Sequence, residues 1–131
     1  MLVRPYAVAV HDDGQRVAIA DPGAGCVHLF HLEAQAYQRV DACGLPPQRL
    51  ESPVAVAWVA DTVWPADSRA HAVAILNGRI GPAAQPGGIP GPTVASQDRW
   101  IGGERLTHPS GLAYCPQNRL VYVSDAGTHA I

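Results

Sequence analysis

Three aspartates, Asp21, Asp67 and Asp125, and six histidines are the side chains of this 131-residue sequence best suited to acid–base or metal chemistry. Read singly, each aspartate could act as a general base or a cation ligand. Their contexts point elsewhere. Each closes a segment that opens on a proline: Pro5 to Asp21, Pro53 to Asp67 and Pro109 to Asp125. The first and third intervals are equal, and the second is two residues shorter in its polar middle. An active site is used once, whereas a turn is needed in every copy. An aspartate at a strand end accepts hydrogen bonds from the backbone N–H groups that follow it and fixes the next loop. The three are therefore read as structural turn aspartates. On this reading Asp125→Asn, which keeps an acceptor oxygen, is expected to be nearly neutral, while Asp125→Ala costs about 1 kcal/mol.

The histidines divide by position. His28 and His31 form an HxxH, but a spacing of three on a strand puts them on opposite faces, against a shared metal. His71 and His129 each stand four residues after a repeat aspartate, which again favours turn architecture. His108 precedes a repeat proline, as Arg4 does in the first copy, with Tyr6 and Arg105 close by in sequence. Arg4, Tyr6, His71, Arg105, His108 and His129 are accordingly the candidates for a binding face. Cys26, Cys43 and Cys115 are odd in number and form no CxxC pair, so neither a disulfide framework nor a zinc site is expected. They read as small buried side chains. No G-x-S-x-G elbow, phosphate loop or HExxH occurs, and no catalytic residue, metal or cofactor is assigned.

The elements that carry these residues are short strands. Ala7–Val10, Val54–Trp58 and Gly111–Tyr114 are apolar runs with little charge, so both faces of each are expected to be buried. Asp12–Gly14 and Pro116–Asn118 supply turns, and Arg16–Ala20 and Leu120–Ser124 return as second strands rich in β-branched or aromatic residues. A four-residue loop after the aspartate leads to a third strand such as "CVHLF". Tyr37–Val40 and Arg99–Ile101 are candidates for a fourth. The stretch "HLEAQAYQRV" is too short and poorly patterned for a helix. Residues 81–97, where eight of seventeen are Gly or Pro, read as an extended insertion. Setting it aside leaves repeats at about 4–49, 50–104 and 105–131. Four antiparallel strands at a period of roughly 40–45 residues describe a β-propeller blade; a β-sandwich or small barrel leaves the recurrence of Pro and Asp unexplained.

The pattern P-x-[GA]-[LV]-A … V-x-[VI]-[AS]-D-x-x-x-H-x-[IV] resembles the NHL repeat of bacterial and animal propellers. The third copy offers Pro109, Gly111, Leu112, Tyr122, Asp125, His129 and Ile131. The second offers Pro53, Ala55, Asp67, His71 and Val73, with Pro65 in a strand position; the first offers Pro5, Ala7, Asp21 and Val27, with Gly25 where the histidine falls. The resemblance implies an all-β fold of four-stranded antiparallel blades. With two blades and part of a third, an incomplete ring is expected: a fragment of a longer propeller or a truncated frame, with self-association as the less favoured way of covering open blade faces.

The resemblance also brings two enzyme types into view. Gluconolactonase-like hydrolases place a metal-binding Asn or Asp after the strand proline, where this chain has Tyr6, Val54 and Ser110. Peptidyl-hydroxyglycine lyases hold zinc with histidines; His108, Arg4 and Tyr6 are candidates without completing the set. The leading expectation is a non-catalytic scaffold whose loop-bearing face takes a protein or small ligand. The loops 22–25, 68–71 and 126–129 should cluster there, bordered by 46–52 and 105–108. Nucleic acid is not expected, since nine Lys and Arg against eleven Asp and Glu give no basic face. No apolar run approaches membrane-spanning length, and "MLVRPYAVAV" lacks a signal-peptide cleavage pattern. The compartment stays open.

Overall fold

The computed structural model describes residues 2–44, 46–80, 99–102 and 106–127. The insertion at 81–97, Arg105, His129 and the expected third strand at Ile131 lie outside the described residues.

The described chain is all-β. The first sheet is an antiparallel meander of β1 (Ala7–Val10), β2 (Arg16–Asp21), β3 (Cys26–His31) and β4 (Ala36–Val40) in sequence order. A two-stranded ladder of β5 (Ala42–Cys43) and β6 (Gln48–Arg49), which the sequence did not announce, makes the connection. The second sheet orders β7 (Pro53–Val59), β8 (Thr62–Asp67), β9 (Ala72–Ile75) and β10 (Arg99–Ile101) in the same way. The third comprises β11 (Pro109–Cys115) and β12 (Leu120–Asp125). The shorter Pro-to-Asp interval in the second copy arises in its hairpin, where only Ala60 and Asp61 separate β7 from β8.

Pro65, which cannot donate to a ladder, sits in an inner strand of the second sheet. Pairing of β8 with β9 runs through Ala66 and Asp67, resumes only as a bridge from Val63 to Leu76, and so skips the proline.

The sheets stack in a fixed sense. Ala18, Ala20, Val27 and Leu29 of the first pack with Val56, Trp58, Val63, Ala74 and Leu76 of the second. The opposite face of the second sheet (Ala55, Trp64, Ala66, Val73) packs with Leu112 and Val123 of the third. The first strands are neighbours, with β7 against both β1 and β11. Trp58 anchors this region, its indole N–H donating to the Ala9 carbonyl at 3.2 Å. Burying a side chain of this size contributes about 1.5–3 kcal/mol.

One expectation is corrected here. Of the three first strands, β7 is the one buried on both faces among the described residues, where the second sheet packs against the first on one side and the third on the other. In β1 the alternate residues Val8 and Val10 are 64% and 58% exposed.

Candidate functional site

The repeat aspartates end β2, β8 and β12, and all three are buried. Asp67 Oδ2 accepts from Glu51 N–H at 2.7 Å, while Oδ1 accepts from the N–H groups of Ser52, Arg69 and Ala70 at 2.9, 3.1 and 3.0 Å. Asp125 repeats the arrangement with Thr107 on Oδ2 and His108 and Gly127 on Oδ1. Asp21 does so with Val3 on Oδ2 and Arg4 and Ala24 on Oδ1. Each carboxylate thus holds the following loop, as its position predicts, and also clasps the chain just before its own first strand. The second half of this clasp was not foreseen. It changes the consequence of substitution, because both oxygens are used.

Burial pushes the Asp21 pKa up, but the N–H groups of Val3 and Arg4, then His28 and Ala24 N–H, outweigh it and hold the carboxyl at about 2. These aspartates are committed to the backbone, which leaves them poor general bases.

The candidates for a binding face gather where the first strands begin. Arg4, Tyr6 and His108 are exposed there, Tyr6 by 71%. Gly25 and His71 hold the same repeat position with φ of +64° and +57°. That left-handed conformation is why glycine and histidine interchange in the repeat. The His71 Nδ1 is hydrogen-bonded to the Thr107 carbonyl, joining the second sheet's loop to the start of the third. His71 is therefore already engaged within the fold.

At the opposite, hairpin end the structure assembles a cluster that sequence reasoning missed. Arg16 donates to Asp13 Oδ2 at 2.8 Å and to Asp61 Oδ1 at 2.9 Å, and its guanidinium lies 5.5 Å from the Trp58 ring centre. Asp13 N–H donates to His11 Nδ1 at 3.0 Å, while His11 Nε2 lies 2.9 Å from Arg16 Nη2 and 3.2 Å from Asp61 Oδ1. The His11 ring meets Trp58 edge-on at 5.1 Å.

The Gln15 N–H, with Arg16, holds the Asp13 carboxyl well below the usual range. Arg16 lowers the Asp61 pKa. The signal that could have found this cluster is weak, since Asp61 meets His11 and Arg16 only because two hairpins pack side by side. Beside it lies a cleft of about 450 Å³ where β1, β7 and β11 end, lined by Val10, His11, Asp12, Trp58, Asp61 and Tyr114 among others.

A second group lies inside the first sheet. Cys26 and His28, two apart on β3, share a face, and Asp21 is the register partner of Cys26 on β2. All three are 0% exposed. His28 Nε2 lies 2.9 Å from Asp21 Oδ2 and 3.4 Å from Cys26 Sγ, while its Nδ1 lies 2.6 Å from the Tyr37 hydroxyl on β4. Burial pushes the Cys26 thiol and the Tyr37 phenol up. His31, on the other face, takes no part; its Nδ1 accepts from Ala34 N–H. Cys-x-His opposite a strand-end aspartate was the legible signal here.

Comparison of the chain with protein-family models and with curated proteins returned no match.

Proposed function

We propose that the chain is a non-catalytic NHL-type β-propeller module that binds a protein segment or small ligand at the cleft where its first strands end. One observation carries the reading: successive sheets pack in the same sense, each presenting equivalent repeat positions to the next, around neighbouring first strands. Such packing supports a reading of the sheets as blades about an axis. The cleft beside the first strands combines the Tyr114 ring and the edge of the largely buried Trp58 with the acceptors Asp12 and Asp61, the mixture of apolar wall and few polar groups that suits ligand recognition.

The propeller-enzyme reading gains no support from the described residues. Its first signature falls on Tyr6, Val54 and Ser110, none of which is the Asn or Asp it requires.

The test is NMR titration of isotopically labelled protein with a library of short peptides and polar fragments. Shifts should gather at the Trp58 indole N–H, Tyr114 and Asp61, and Tyr114→Ala should weaken the best binder by about tenfold, or 1.4 kcal/mol. Shifts gathering instead around Tyr6 and His108, or chemical conversion of a fragment, would refute the assignment.

A further inference from the structure

We propose that Asp21 Oδ2, Cys26 Sγ and His28 Nε2 form a binding site for a thiophilic divalent cation of the zinc class. Among the described residues, their donor atoms all lie within 4.8 Å of one another. A zinc ion about 2.0–2.3 Å from each donor needs ligand atoms roughly 3.3–3.6 Å apart. The 3.4 Å between Cys26 and His28 already fits, the 2.9 Å between His28 and Asp21 must open by a few tenths, and the Asp21–Cys26 pair must reach the same range from a separation within 4.8 Å. Thiolate, imidazole and carboxylate together form a donor set of borderline softness.

Two alternatives fit the arrangement less well. In a nucleophile relay the thiol meets one imidazole nitrogen and the orienting carboxylate the other; here thiol and carboxylate converge on the same Nε2. A purely structural part in the Asp21 turn is also insufficient as an explanation. Asp67 makes the same backbone clasp with alanines, Ala72 and Ala74, at the equivalent positions. The first sheet has added a buried thiol and imidazole that the turn does not require.

Tyr37 supplies the outer support such a site needs. In the metal-free state His28 carries its proton on Nε2, facing the carboxylate, and Nδ1 accepts from the Tyr37 hydroxyl. On binding, the cation takes the Nε2 lone pair, the imidazole proton resides on Nδ1 and is donated to the Tyr37 oxygen. The Cys26 thiol gives up its proton to solvent. One proton is released per ion bound, and no oxidant or reductant is involved. Tyr37 is 41% exposed and its ring lies 5.8 Å from that of His28, so the way in is past this side chain.

The experiment is titration of the full chain with Co²⁺ and then Zn²⁺ alone, following the cobalt–thiolate charge-transfer band and proton release by calorimetry in buffers of different ionisation enthalpy. One ion per chain, a thiolate band and about one proton released are expected. Cys26→Ala and His28→Ala, which copy the alanines of the second sheet, should abolish the band. Tyr37→Phe should weaken binding by about tenfold. The double variant Cys43→Ser, Cys115→Ser should keep the band, which covers the case in which a core substitution fails to fold. Wild-type protein without a thiolate band, a band that survives Cys26→Ala, or one lost with Cys43 and Cys115 would overturn the proposal.

Discussion

Replacing Asp67 by asparagine separates a single-acceptor turn from the two-sided clasp. Four backbone N–H groups converge on this carboxylate, three on Oδ1 and one on Oδ2. Asparagine does best by keeping its carbonyl where three donors meet, which turns its NH₂ toward Glu51 N–H. One charge-assisted bond, worth about 1.5–3 kcal/mol, is then replaced by two opposed donors, and the other three bonds lose their charge. A loss of about 2–3 kcal/mol follows. Alanine removes all four acceptor contacts, but water can reach part of the loop, so its cost should stop at about 3–5 kcal/mol. The same reasoning predicts a cost for Asp125→Asn, where the sequence alone led to near-neutrality, since Asp125 also uses both oxygens.

Urea unfolding followed by tryptophan fluorescence measures both variants, with an excluded osmolyte added equally to all samples to keep the weaker one folded. An Asp67→Asn protein within about 0.5 kcal/mol of wild type would refute the clasp as an energetic feature.

Two further predictions concern the same turns. His71→Gly relieves the left-handed backbone but loses the contact to Thr107, so it should melt close to wild type, whereas His71→Val should cost about 1–2 kcal/mol; equal melting temperatures for Gly and Val would remove the conformational argument. In chelator-treated protein, Asp21, held at about 2 against an ordinary 3.8, contributes stability that is complete above its ordinary value. That contribution is lost as pH falls through the range from about 4 to about 2, and is on the order of 2 kcal/mol. Urea midpoints across that range should fall more steeply for wild type than for Asp21→Asn, and parallel profiles would contradict the assignment.

The strands were legible because the repeat is written in residues with local meaning. Proline opens each copy, small residues alternate with larger ones in the first strand, and aspartate closes the second. What crosses between sheets was not legible. Glu51 and Ser52 lie far upstream of Asp67, and only the fold returns them to its carboxylate. Asp61 is an ordinary hairpin residue until a second hairpin brings Arg16 beside it. The expectation of a doubly buried first strand failed for β1 because burial belongs to the stack, and the composition of a strand does not say how many neighbours it has. The reading of the cysteines looked for CxxC, whereas two residues share a strand face at a spacing of two, so Cys26 and His28 escaped it.

The repeat register gives the exposed faces a meaning that their exposure alone would lack. Val8 and Val10 occupy the positions that Val56 and Trp58 hold in the second copy and Leu112 and Tyr114 in the third. In the second copy those residues lie in the contact with the first sheet, and in the third Leu112 lies in the contact with the second. At the other end of the stack Tyr122, 45% exposed, takes the place of Trp64, which packs toward the third sheet. The two outer surfaces are therefore the two halves of one interface that the chain already makes twice. A contact between unlike faces propagates head to tail, and closes into a ring when the rotation per step permits. Under the propeller reading, the face of Val8 and Val10 matches a forward face of the kind that carries Tyr122, and the Tyr122 face matches a backward face like that of Val8.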